Sequence, residues 1–542
     1  MQGNSLTRQN LNSMHSILPF LLAMIMVIVL LNMWAAKLKI AYPILLVVGG
    51  LLISFIPGLP MVKIHPDLIF FIFLPPLLFE AAWSISFKEM KKWWRIIGSF
   101  AFLVVFFTAL SVALVTNYMI PGFTIGLGFL LGGIVSPPDA VSTGAITKFV
   151  KIPRSTSAIL EGESLLNDAS SLIIFRFALV AVGTGQFIWQ EATLSFLWMV
   201  IGGAGIGLLL GWVFVQAHKH LPTDAPSDIA MMLIEPYFLY WIAEQAHSSG
   251  VLAVVCGGLL MSAKRLTFLN STSRIRAFSV WESFIFILNG IVFLIIGLEL
   301  PEIVGGLRSK GIPLSTAINY GILVTGVLIA ARIISSYAAM AATLIFRPSV
   351  APAAANRRIR LTMPLLLGWT GMRGVVSLAA ALSIPLALDH GKGPAFPHRD
   401  LILFITFVVI LLTLVVQGLT LPFFINRSSA FGQIFNQEAE ESARQKMKHG
   451  LKQHVYEFLK DKYEHELNGY AGMEKLLKHW EEKSKATDDS WMNEKTKVIF
   501  VEMLESQRAY LSELNKDPAV NEEIIRQQLF QIDLEEERLK MI

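Results

Sequence analysis

With 542 residues, 54% of them hydrophobic and 16% charged, and a mean hydropathy of +0.57, the chain is far more apolar than a water-soluble protein of its length. That balance excludes an ordinary soluble enzyme and points to a polytopic membrane protein. Residues 427–542 carry 18 Lys/Arg and 23 Asp/Glu, whereas residues 1–426 carry 27 and 17, so the basic excess sits in the apolar part and the last stretch reads as a separate, water-soluble unit.

The sequence pI near 9.0 is no sign of nucleic acid, because the basic residues fall in short loops between apolar runs and no recognition motif accompanies them. A single cysteine, Cys256, leaves no intramolecular disulfide and no CxxC site, and its apolar surroundings suit a small packing residue. The first apolar run, Ile17 to Ala36, is long enough to span and is preceded by one arginine, Arg8, rather than a basic cluster, so it reads as a membrane helix and not as a signal peptide.

Apolar segments able to cross about 30 Å of hydrocarbon fall at 16–36, 41–58, 67–86, 96–119, 122–148, 156–182, 192–217, 228–247, 250–263, 278–300, 313–346, 362–388 and 401–425. The 250–263 piece is short enough to be re-entrant or tilted. Thirteen crossings place 18 loop Lys/Arg on one side and six on the other, which predicts an external N-terminus and a cytoplasmic C-terminus. Trp93 and Trp94 beside Lys91 and Lys92 read as an interfacial anchor.

Two spans are broken by their own composition. In LGGIVSPPDAVSTG, residues 131–144, Pro137 and Pro138 remove two backbone donors in mid-span. In LLLGWTGMRGVVSLA, residues 365–379, Gly368, Gly371 and Gly374 surround Arg373. A pair of interrupted spans in corresponding halves is the sequence signature of a transporter with inverted repeats and a midplane site. After residue 426 the tail shows helical periodicity and no phosphate-binding loop, which predicts a small helical domain at 427–542 and rules out an energising ATPase.

Mid-span charges cost at least about 2.5 kcal/mol each on insertion scales, so they are paired or functional. The candidates are Asp139, Glu163, Asp168, Arg176 and Arg373, three of them around the stretch EGESLLND. At 100° per residue Ser164 and Asp168 share one helix face, while Glu163 and Asn167 share another. One carboxylate thus lines a cavity and the other turns into protein to meet an arginine. A buried carboxylate with a hydroxyl and a carboxamide beside it makes a poor hydrolytic catalyst but a good site for a small hard cation. If proton and cation compete for the same oxygens and only loaded forms reorient, exchange follows without another energy source. Arg176, two turns beyond Asp168, either modulates that carboxylate's proton affinity or snorkels to an interface. His65, His218, His220, His247 and His390 lie near segment ends and read as solvated. No cofactor motif is present, and the partners expected from these residues are monovalent cations, protons and lipid, not nucleic acid.

These motifs together resemble the monovalent cation/proton antiporters, specifically the bacterial sodium/proton exchanger branch. GESLLNDASSLIIF resembles that family's signature helix, SPPDAV its unwound aspartate segment, GMRGVVSLA its GLRG helix, and FLPPLLFEAAW at residues 73–83 a further family segment. The resemblance covers roughly residues 15–425. It implies an all-α fold of about 13 transmembrane helices with inverted repeats and two broken crossing helices, in a homodimer, with residues 1–426 as the exchange domain. It implies that Asp168 binds Na⁺ and H⁺ alternately, that Asp139 and Ser164 contribute to the Na⁺ site beside a neutral Asn167, and that Glu163 and Arg373 form a buried structural ion pair. Electroneutral Na⁺/H⁺ antiport in the cell membrane, serving pH and sodium homeostasis, is the implied function, with Li⁺ or K⁺ as other cargo. A cation channel and a potassium/proton antiporter are the alternatives. The departure is Pro138, which precedes Asp139 where the family often has a small residue or threonine.

Overall fold

Helices apolar on every face bury against one another or against lipid, and their backbone groups must be satisfied within each helix. The computed structural model describes residues 3–38, 42–56, 66–139, 154–185, 189–346, 357–388 and 394–427, and in the tail 447, 450–451, 454–455, 457–458, 494–518 and 520–541. Those residues are almost entirely helical; the extended pairing among them is an isolated bridge between Ala387 and Ala395.

The helices, in order, are α1 (Gly3–Leu38), α2 (Tyr42–Ser54), α3 (Pro66–Ser84), α4 (Phe87–Ser99), α5 (Val105–Met119), α6 (Ile125–Val135), α7 (Arg154–Thr184), α8 (Trp189–His220) and α9 (Ala225–Gln245). There follow α10 (Gly250–Phe268), α11 (Ser271–Ser309), α12 (Leu314–Phe346), α13 (Arg357–Trp369), α14 (Val375–Leu382), α15 (Arg399–Leu412), α16 (Gly418–Arg427), and in the tail α17 (Glu494–Leu514) and α18 (Glu522–Met541). π-helical turns at Phe100–Val104 and Thr413–Gln417 join α4 to α5 and α15 to α16.

Among the described residues eight helices are long and apolar enough to cross a membrane, and Tyr42–Ser54, Phe70–Ser84 and Ile125–Val135 are shorter apolar helices. Gly250–Phe268 is one of the eight, so the helix that contains the 250–263 segment is itself long and apolar enough to cross. Its extension runs through Lys264 and Arg265, whose long stems let the charged heads leave the apolar layer. The part of the 122–148 span beyond Asp139, and with it Ala140 and Val141 of SPPDAV, lies outside the described residues, as do Lys63, His65, Lys148, Lys151 and His390.

The chain divides into two compact units. The first comprises Met1–Ala217, Met231–Arg265 and Trp281–Gly432. In it α6 lies flush between α5 and α7: a Cβ on Gly132 would sit 2.8 Å from Ala109 Cα, and one on Gly133 would sit 2.9 Å from the Phe175 amide nitrogen. Thr124 caps α6 by accepting from the Leu127 amide at 3.3 Å. The helix ends at Val135, just before Pro137 and Pro138, as their missing donors require.

The second unit comprises His218–Ala230, Leu266–Val280 and Gln433–Ile542, so the helical tail is grouped with two stretches that the sequence reading kept in the membrane part. Ion pairs tie these pieces together. Arg274 donates to both oxygens of Asp533 at 3.1 and 2.6 Å, and Arg508 donates to Asp533 at 2.8 Å. Arg508 also holds Glu505 at 2.7 Å, and Thr272 donates to Glu537. The opposed carboxylates keep the Arg508 guanidinium protonated, raising its affinity for the proton against the burial that lowers it. His218, expected to be solvated, is buried and bonded to Asp228 at 2.8 Å, and Ser273 donates to the other Asp228 oxygen at 2.6 Å. The apolar core of this unit includes Val455, Phe500, Met503, Leu504, Leu511 and Ile525.

Candidate functional site

The breaks bring the site together. The last helical bond of α6 runs from the Ser136 amide to the Gly132 carbonyl at 2.9 Å, and beyond it the Asp139 amide donates to the Met372 carbonyl in the gap between α13 and α14, at 2.7 Å. One backbone bond thus joins the two interrupted spans. Ser164, on α7, donates its hydroxyl to the Pro138 carbonyl at 3.1 Å.

Asp139 and Asp168 are both buried, 8% and 7% exposed, and each lies within Coulombic range of the other. Asp139 packs so closely on Gly374 that a Cβ there would fall 1.9 Å from its Oδ2, so only glycine leaves room for this carboxylate at the start of α14. Tyr42 of α2 also lies within Coulombic range of Asp139. Asn167 is fully buried beside Glu163, and among the described residues its amide atoms make no aligned hydrogen bond. The structure gathers Asp139, Ser164, Asn167 and Asp168 in one region.

The expected pairing of Glu163 with Arg373 is corrected by the geometry. Glu163, fully buried, is ion-paired with Arg332 of α12, Oε1 to Nη2 at 2.7 Å. Arg332 also donates from Nε to the Leu367 carbonyl at 3.3 Å. Arg373 instead turns back on its own break, Nη1 donating to the Gly371 carbonyl at 2.9 Å, and stands within Coulombic range of Glu163, Asp168 and Arg332. Its backbone explains the turn: the Arg373 amide donates at 3.2 Å to Thr413, the first residue of the π-helical turn Thr413–Gln417. The other π turn does similar work, since its Ala101 carbonyl accepts from Ser170, two residues beyond Asp168.

Arg176 is not a partner of Asp168. Its Nη2 reaches both oxygens of Glu244 at 2.7 Å, and Glu244 also accepts from the Gly250 amide at 3.1 Å. The pair is partly exposed and fastens α7 to the α9–α10 connection.

The family model described as "Sodium/hydrogen exchanger, transmembrane" matches residues 21–427. The chain belongs to this exchanger family. A sodium, potassium, lithium and rubidium/H⁺ antiporter of Bacillus pumilus is 32% identical over 390 residues, 71% of this chain and 57% of that protein, so the chain spans little more than half of that relative. The low-affinity Na⁺/H⁺ antiporter NhaS1 of Synechocystis is 30% identical, covering 73% of this chain and 71% of its own. The Na⁺/H⁺ antiporter ApNhaP of Aphanothece halophytica is 31% identical with the same coverages. Among solved structures, the sodium proton antiporter MjNhaP1 of Methanocaldococcus jannaschii aligns with a TM-score of 0.58 at 19% identity, over 77% of this chain and 99% of that one, and shares its fold.

The residue that sequence reasoning missed is Arg332. Its signal was present as a lone arginine in the apolar run LIAARIISSYAA, a position that costs too much to be left without a partner. Thr413 gave no comparable signal, because a threonine in an apolar helix ordinarily bonds back to its own turn, as Thr413 also does to Val409 at 2.8 Å.

Proposed function

We propose that this member of the exchanger family carries Na⁺ against H⁺ by alternating access, one for one and without net charge movement. Asp168 takes the cation and the proton in turn, Asp139 and Ser164 supply further oxygens to Na⁺, and Asn167 adds a polar but neutral wall. The Glu163–Arg332 pair braces α7 against α12, and Arg373 holds the second break. The observation that carries this reading is the bond from Ser164 to Pro138, which brings the Asp168 face of α7 against the unwound segment holding Asp139. Hard oxygen donors in a buried setting suit a dehydrated alkali cation.

A cation that displaces a proton from Asp168 must compete with it, so the Na⁺ concentration giving half-maximal exchange rises as pH falls. Under this reading the protein works as a homodimer in the cell membrane with its C-terminus in the cytoplasm, moving cargo without covalent chemistry or a resident cofactor. A broader cargo range that includes K⁺ is the second reading, favoured by the printed activity of the Bacillus pumilus relative.

The test is cation-induced proton movement in proteoliposomes, native protein against Asp168→Asn, across Na⁺, Li⁺ and K⁺. For Na⁺ and Li⁺ the voltage is clamped with K⁺ and valinomycin. Proton movement on adding Na⁺ in the native protein only, at a rate indifferent to the clamp, supports electroneutral exchange through Asp168. Equal exchange in the variant overturns the assignment of the carboxylate. No proton movement with any cation overturns antiport and favours the channel alternative.

A further inference from the structure

The segment Phe87–Ser99 is unlike the other helices of the membrane unit: it is amphipathic and precedes the apolar span Ile97–Met119. At 100° per residue, Lys91, Arg95, Lys88 and Lys92 fall within a single 100° arc of its surface. Lys91, Lys92 and Arg95 are exposed there. On the far side Trp93 and Ile97 are buried, 6% and 0% exposed, and Ile97 packs into the space beside Gly162, where a Cβ would meet its Cδ1 at 2.7 Å. The anchor expected of both tryptophans is therefore divided. Trp93 belongs to the core, while Trp94, 60% exposed, flanks the basic arc with the Arg95 guanidinium 5.3 Å from its ring.

We propose that this face of α4 is a docking site for the headgroups of anionic phospholipid. Charge complementarity and depth select that occupant. Three exposed cations on one helix face, immediately outside a membrane span and with an exposed indole at the same level, match a phosphate layer above hydrocarbon. An indole beside the arc favours the interface over bulk water, which an acidic soluble partner would not require. The buried side of α4 packs against α7 one residue from Glu163, so the headgroup layer anchors the helix on which the ion-site helix rests.

Lipid retention measures this directly and independently of transport. The full-length protein in neutral detergent is titrated with phosphatidylglycerol or phosphatidylcholine, and bound lipid is counted by native mass spectrometry. The native protein is compared with Lys91→Gln/Lys92→Gln/Arg95→Gln and with a control, Lys37→Gln/Lys219→Gln/Arg276→Gln, that removes the same charge from exposed positions elsewhere. Each cation at a lipid surface is worth about fivefold in affinity. The expected result is a preference for phosphatidylglycerol that drops at least about fivefold in the α4 variant and persists in the control. Equal retention of the two lipids by the native protein, or an equal loss in both variants, overturns the proposal. A folding failure of the triple variant is separated by Trp94→Ala, which keeps every charge and is expected to weaken retention by a smaller factor; unchanged retention there, with the triple variant lost to misfolding, also counts against it.

Discussion

The ion-site region and the tail unit both bury charge, and they satisfy it differently. In the tail unit Asp533 accepts from two arginines, and Asp228 engages a histidine with one oxygen and a serine with the other. In the membrane unit Glu163 is held by a single arginine, Arg332, at 2.7 Å, and the buried Asn167 beside it makes no aligned hydrogen bond among the described residues. Networks in which one carboxylate is shared by several donors fix geometry because each bond resists displacement of the others. A site that must take up and release an ion needs polar atoms whose bonding capacity is not already spent. The contrast separates charge that builds from charge that works.

The contrast is tested most severely at Glu163. Glu163→Gln leaves Arg332 buried and unbalanced, which costs about 3 to 5 kcal/mol; thermal unfolding in detergent should show a large loss of stability, and the charge-removing double change Glu163→Gln/Arg332→Met should regain much of it. Near-native stability of the single variant would show that water already screens this pair. In the tail unit, Asp533→Asn weakens three charged hydrogen bonds, two from Arg274 and one from Arg508, each worth about 1.5 to 3 kcal/mol. Limited proteolysis should then cut the α17–α18 region faster while the membrane unit's melting is unchanged; unchanged proteolysis would mean that Glu536 and Glu505 suffice.

At Gly374 an alanine methyl must displace the Asp139 carboxylate. Gly374→Ala is expected to raise the half-maximal Na⁺ concentration about tenfold, and to add little once Asp139 is already Ser. Additive losses in that double-mutant cycle would refute a contact between the two positions. Glu244→Gln is the mildest change: the Arg176 pair is partly exposed and is worth under about 1 kcal/mol. Stability should barely move, and a large loss there would mark the pair as part of the working site after all.

The site was legible where its residues lie close in sequence and share a periodic face. Ser164, Asn167 and Asp168 fall within five positions of one helix, and Asp139 stands beside two prolines that announce a break. What failed was pairing across long separations. Nothing local chooses between Arg332 and Arg373 as the partner of Glu163, because both are buried cations on other helices and the choice depends on where Thr413 holds the Arg373 backbone. Arg176 failed in the same way: its eight-residue offset from Asp168 was readable, but Glu244, 68 positions away, was not. His218 misled because a histidine at a helix end is ordinarily wet, and only the folded second unit brings Asp228 and Phe268 around it, the latter ring at 5.1 Å.

The single bond from the Asp139 amide to the Met372 carbonyl acts as a stitch between two ends that each lack a helical continuation. A seam of this kind cannot open on one side alone, since parting it strands a donor in one break and an acceptor in the other, both out of reach of bulk water. Under the proposed exchange the two interrupted spans would therefore travel as one piece, and a cation held at Asp139 would be carried by both at once.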